Sequence, residues 1–159
     1  MNAQLIFTFL LSLVCTSLPG QVDASAYLPR PFGQILLERK TCADPASDLN
    51  VCTEIHKYQT QLTYLGEMRP ITGQKAELLK SLQISWKALP NVVKFFATYH
   101  QEILVTSKGI KEWIPIQDSL IPEVKQYLKP NHDFLAFLVV PGAIRSELVF
   151  VLTRFDELD

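Results

Sequence analysis

The chain has 159 residues, 15 of them Lys or Arg and 16 Asp or Glu. That length supports one hydrophobic core and not two. The near-balance of charge excludes the clustered Lys and Arg on which nucleic-acid backbones and anionic membrane surfaces depend, so neither is expected as a partner.

Residues Leu5 to Val14, LIFTFLLSLV, form an uncharged run. Its length of about ten residues is that of a secretory h-region and falls short of the roughly 20 that a membrane-spanning helix needs. Pro19 and Gly20 follow, and Ala24-Ser25-Ala26 then supplies a small-x-small triplet. A signal peptide over residues 1–26, cut after Ala26, is therefore expected. The leader departs from the usual pattern in two respects: no Lys or Arg precedes the apolar run, and Asp23 lies close to the cut. Val14 directly before Cys15 argues against a lipidation site. The mature chain, Tyr27 to Asp159, would carry zero formal charge and no transmembrane segment, and would be periplasmic or secreted.

With Cys15 removed, Cys42 and Cys52 remain, and in an oxidising compartment they are expected to pair. The bridge would close CADPASDLNVC, a polar loop with little structure of its own, and stabilise by roughly 2–3 kcal/mol. A zinc site is not expected, because two cysteines without C-x-x-C spacing supply at most half the usual ligands. Residues 27–52, with Pro29, Pro31, Gly33 and Pro45, read as an irregular arm holding this disulfide loop, and 53–159 as a single α+β domain.

Ile55, Tyr58, Leu62 and Leu65 recur at spacings of three and four, which predicts a helix with Thr53 as N-cap and Gly66 as C′. Leu78, Leu79, Leu82, Trp86 and Leu89 predict a second helix that stops at Pro90, with Lys75, Lys80 and Lys87 mainly on its other side. Residues 91–100 fit a helix through Val92, Val93, Phe96 and Tyr99, or a strand through VVKFF, and both readings stand. EILVT, Ser107-Lys108-Gly109 and IKEWIPI predict a β-hairpin, with Pro115 marking a free edge or a bulge. A short helix follows over Leu120 to Leu128. FLAFLVV (134–140) and ELVFVLTRF (147–155) then read as antiparallel partners turned by Pro141-Gly142, with a frayed acidic tail. The fold class expected is α+β, with N-terminal helices packed on a small antiparallel sheet of four to five strands. The alternative closure is an OB-like or SH3-like partly open barrel with a short inserted helix.

No nucleophile elbow, P-loop, dinucleotide fingerprint or H-E-x-x-H motif is present. No cofactor or metal is expected. His56, His100 and His132 lie on different predicted elements and read as surface or capping residues. Glu102, Glu112, Asp118, Glu123 and Asp133 read as solvated charge, and Trp86 as core. Trp113, near Pro115 on a sheet edge, is the residue most open to a binding role, with Tyr99 and Tyr127 as its candidate aromatic neighbours. The function expected is a non-catalytic binding module of the cell envelope or secreted fraction, with an envelope protein or polymer as partner. The alternative is a small exported hydrolase or metal-dependent enzyme built on His100 and a carboxylate such as Glu102 or Asp133.

Overall fold

A single long strand sets the architecture. In the computed structural model, which describes residues 23–37, 49–85, 87, 90–144 and 147–158 and only the backbone of 49–55, residues Leu49–Pro70 form strand β2. The helix expected over 53–65 is therefore corrected to a strand. Tyr58, Thr60, Leu62 and Tyr64 alternate along it and are all buried. Thr60 is polar, so the period of two that marks a half-buried strand is masked in the sequence, while β-branched and aromatic residues supply the extended preference. Gly66 does take a positive φ of 88°, as its reading as a C′ residue required, but it does so inside the strand. The register shifts there, between Tyr64 and Met68, and the strand changes neighbours.

β2 pairs antiparallel with β5 (Asp133–Ile144) up to Thr63, and with β3 (Tyr99–Ser107) from Thr63 and Tyr64 and again from Met68 beyond the bend. β3 turns into β4 (Ile110–Gln117) through Lys108 and Gly109, both at positive φ. This is the two-residue hairpin geometry that Gly109 promised. β4 meets β6 (Glu147–Glu157) in parallel through one pair, Ile116↔Leu152, and β6 pairs antiparallel with β5. The ring β2-β3-β4-β6-β5 thereby returns to β2 and closes a five-stranded barrel. β1, the short strand Leu28–Pro29, lies parallel to β2 outside this ring. A wholly antiparallel sheet is thus corrected at two places, β1–β2 and β4–β6.

Two cores follow from the barrel's two surfaces. Inside lie Ile103 and Val105 of β3, Ile114 and Ile116 of β4, and Leu62, Phe134, Leu138 and Leu152. Phe32 and Ile35 from helix α1 (Phe32–Leu37), and Val124 and Leu128 from and just after helix α4 (Ile121–Tyr127), join this interior cluster. Each such fully buried side chain stabilises by about 1.5–3 kcal/mol. Outside, Phe137, Val139, Val149 and Val151 of β5 and β6 are covered by helix α2 (Gly73–Ser85), through Leu78, Leu79 and Leu82, and by helix α3 (Pro90–Phe96), through Phe96. The helix expected through Leu78, Leu79 and Leu82 is thus α2, but with 53–65 a strand the covering helices follow β2 and do not precede the sheet.

Residues 91–100 divide between their two readings. Pro90 starts α3, and Tyr99 begins β3 after Thr98 Oγ1 donates to the Phe95 carbonyl (2.8 Å). The short helix before β5 is present, entered through a 3-10 turn at Asp118–Leu120. Pro141-Gly142 does not reverse the chain. β5 runs on to Ile144, and the register shifts against β6 between Val139 and Gly142. A proline, lacking a ladder N–H, is accommodated at such a bulge. The tail is not frayed through Glu157, which pairs with Phe134. The leader over 1–22, Cys42, Trp86 and Leu89 lie outside the described residues, as does the side chain of Cys52.

Candidate functional site

On β4, Trp113 sits opposite Leu104 of β3, and two pairs further on Thr106 faces Lys111. Since alternate residues share a face, these four side chains lie on one side of the hairpin, with Ile103, Val105 and Ile114 turned to the interior. Arg69, near the end of β2, is the register partner of Glu102 on β3. Its guanidinium carbon lies 3.8 Å from the centroid of the Trp113 ring. Its Nε donates to Glu102 Oε1 at 2.7 Å.

Glu102 is the buried charge of this surface, its side chain 3% exposed. Lys75, on the first turn of α2, donates Nζ to Glu102 Oε2 (3.3 Å), to Glu112 Oε1 (3.2 Å) and to the backbone carbonyl of Trp113. Two cations and two carboxylates therefore neutralise one another, which offsets the desolvation of Glu102. Reading Glu102 as solvated charge is corrected, because it takes its charge partners from β2 and α2. The bond from Lys75 has a backbone cause as well. Ser107↔Ile110 closes a two-residue turn, so Leu104↔Trp113 is a non-hydrogen-bonded pair and the Trp113 carbonyl points away from β3. No β6 residue is registered against it, and the lysine occupies that open edge.

Of the other aromatic candidates, Tyr99 is buried, with Phe95 5.4 Å away ring to ring, and Tyr127 is 45% exposed on α4. Burial pushes the Tyr99 phenol well above its ordinary range. Tyr99 belongs to the outer core, so Trp113 has Arg69 and not Tyr99 as its neighbour.

His100 Nδ1 pairs with Asp118 Oδ2 at 2.7 Å. Asp118 is brought there by its own N–H, which donates to the Thr98 carbonyl (2.8 Å). Both side chains are open to solvent, 70% and 42% exposed. Glu102, next but one to His100, is committed to Arg69 and Lys75. Asp133 pairs in register with Thr63 on the far side of the Gly66 bend, accepting from Thr63 Oγ1 (2.6 Å) and Gln61 Nε2 (2.9 Å). Among the described residues no group of three or more His, Cys, Asp or Glu is placed to hold a metal ion, and no helix is long and apolar enough to cross a membrane.

Two concavities adjoin the barrel. One, of about 660 Å³, opens between Pro29–Pro31, residues 59–63 of β2 and the hairpin end at Thr106–Lys108, with Phe32 and Leu62 among its lining. Its polar lining includes Gln59, Gln61, Thr63 and Ser107, with Arg30, Lys108 and Asp133 as its charged groups. Thr106, which lines the groove, lies on the same hairpin face as Trp113, which is not itself part of the lining. The other, of about 380 Å³, lies between Tyr27, α3 and β5, with Asp23 and Lys57 among its lining. Ser25's hydroxyl and then its amide, both donating to Asp23, hold that carboxyl below its ordinary range.

Arg69, Lys75 and the groove are not readable from the sequence taken as a helix over 53–65. Once β2 is a strand, Arg69 falls opposite Glu102, and the polar set Gln59, Gln61 and Thr63 alternates with the buried set. Comparison with protein-family models, with curated proteins and with solved structures finds no match to this chain.

Proposed function

We propose that the protein is a non-catalytic binding module of the exported fraction, periplasmic or secreted, that holds an extended envelope polymer, an oligosaccharide chain, along the outer face of β2, β3 and β4. The observation that carries this reading is the Trp113–Arg69 stack, which lies on the hairpin face that also carries Thr106 of the 660 Å³ groove. An indole is a stacking platform for sugar or peptide planes, and the guanidinium beside it offers Nη donors to ligand oxygens while its Nε stays with Glu102. Gln59 and Ser107 in the groove suit a hydroxyl-rich ligand, while Gln61 and Thr63 already donate to Asp133.

The strand order supports reading the barrel as OB-type. Numbered within the ring, the strands run 1-2-3-5-4 and back to 1, the helix falls between the third and fourth, and the third and fifth are parallel. Barrels of that type carry oligonucleotides and oligosaccharides on their second and third strands, here β3 and β4. The balanced charge of the chain favours the sugar over the nucleic acid.

Tryptophan fluorescence during titration with solubilised peptidoglycan fragments tests the reading. A saturable shift is expected in the natural chain, absent in Trp113→Phe and weakened about tenfold in Arg69→Met, the loss of one charge-assisted contact. A shift that persists undiminished in Trp113→Phe, and so arises from Trp86, would remove the site.

A further inference from the structure

The smaller cavity has a composition unlike that of the groove. Val92 and Phe95 of α3 and Val139 of β5 form apolar walls. The hydroxyls at its base are already engaged, Tyr27 Oη with Thr153 Oγ1 at 2.8 Å and Thr153 Oγ1 with the Phe137 carbonyl at 3.0 Å, so they leave little for a ligand to bond. The rim carries two charges. Asp23 accepts from Ser25 N (3.0 Å) and Ser25 Oγ (2.7 Å). Lys57 lies with Nζ 5.7 Å from the Tyr27 ring centroid, and among the described residues it forms no ion pair within 4.0 Å.

We propose that this cavity binds a small amphiphilic carboxylate, with its hydrocarbon against Val92, Phe95 and Val139 and its carboxylate on Lys57 Nζ. Apolar walls reward hydrocarbon and penalise any polar group left unpaired among them. The unpaired ammonium at the rim selects an anion over an amine. At about 380 Å³ the space is at the small end of ligand sites and admits a chain of about eight carbons.

Asp23 opposes this ligand, because its carboxylate shares the rim with Lys57. Cleavage after Ala26 would remove Asp23 and Ala26 from the lining and leave the α-ammonium of Tyr27 there instead. The mature chain would then bind more tightly than the full one. This last step alone rests on the leader reading. The Lys57 contact stands without it, and the site shares no residue with the Trp113 surface, so either can fail alone.

Calorimetric titration of the full chain with octanoate, and separately with 1-octanol, distinguishes the contributions. Saturable octanoate binding is expected, weakened about tenfold by Lys57→Gln, with 1-octanol binding equally to both chains. Asp23→Asn is expected to tighten octanoate about two- to threefold, the size of a screened surface repulsion. The proposal is overturned if octanoate shows no saturable binding, or if Lys57→Gln leaves its affinity unchanged.

Discussion

Arg69 lies over Trp113 and is tied at Nε to Glu102, so a side chain that is 51% exposed is nonetheless held in one orientation. Glu102 supplies this restraint from a nearly water-free position, and Lys75 shares it. Glu102→Gln should therefore cost about 2–3 kcal/mol, because two cations lose their common carboxylate. Urea denaturation reads the loss as a lower midpoint at unchanged m. Arg69 should also become mobile over the indole, changing the Trp113 emission.

Tyr99 and Tyr27 both have phenols raised above 10.0, chiefly by burial, with Tyr99 well above. A raised phenol binds its proton more tightly in the folded than in the unfolded chain. Stability is thus unaffected by these groups below about pH 10, the unfolded value, and falls as pH rises from there towards the folded values. Thermal midpoints followed into alkali should show this decline, with a smaller slope in Tyr99→Phe. An unchanged slope in that variant would place the alkaline transition elsewhere.

Gly66 and Gly109 both take positive φ, yet alanine should not cost the same at each. At Gly66 a Cβ would lie 2.8 Å from Pro130 Cγ, whereas at Gly109 nothing is within 4 Å. Gly109→Ala should cost about 1–2 kcal/mol from backbone conformation alone. Gly66→Ala should cost about 2–4 kcal/mol, since steric crowding adds to it. Equal losses by chemical denaturation would show that Pro130 moves aside freely.

Phe32 is 1% exposed, packs 5.2 Å from the Phe150 ring, and also lines the 660 Å³ groove. Phe32→Ala should destabilise by about 3–5 kcal/mol and deepen the groove into the barrel. Thermal unfolding measures the first effect. Binding of an apolar fluorescent dye, increased over the natural chain under folded conditions, reports the second.

Export makes a prediction about mass. Protein recovered from the periplasm should begin at Tyr27 and weigh two hydrogens less than its reduced form, the signature of a Cys42–Cys52 bridge. Retention of Met1, or two free thiols, would contradict the leader reading. If that cut is made, it breaks the bond from Tyr27 N–H to the Ala24 carbonyl (3.1 Å) next to a buried ring, so cleavage before the barrel forms should be faster than cleavage after it.

The parts of the fold legible in the sequence are those specified locally. The β3–β4 hairpin is one, because Ser107-Lys108-Gly109 carries its own turn chemistry and the flanking residues are β-formers. The helix before β5 is another, with Pro122 in its first turn. β2 was not legible, since inward-facing Thr60 breaks the apolar alternation and Ile55, Tyr58, Leu62 and Leu65 happen to fall at helical intervals. Pro141-Gly142 misled for a related reason: the same dipeptide serves a turn or a bulge, and only pairing on both sides of β5 decides. Trp113 drew attention through its residue type and its place near an edge. Arg69 and Lys75 drew none, because their roles depend on strands and a helix distant in sequence.

Because Tyr58 pairs across the ring with Leu138 of β5, and Ile116 of β4 meets Leu152 of β6, the ring stays open until almost the last residue has been made. A ribosome releases the N-terminal half before β5, with which the longest strand makes most of its pairs, so completion of the barrel is deferred to the finished polypeptide and should be slow. Such a delay would suit the export proposed above, because a chain can be threaded through a narrow pore only while it is unfolded.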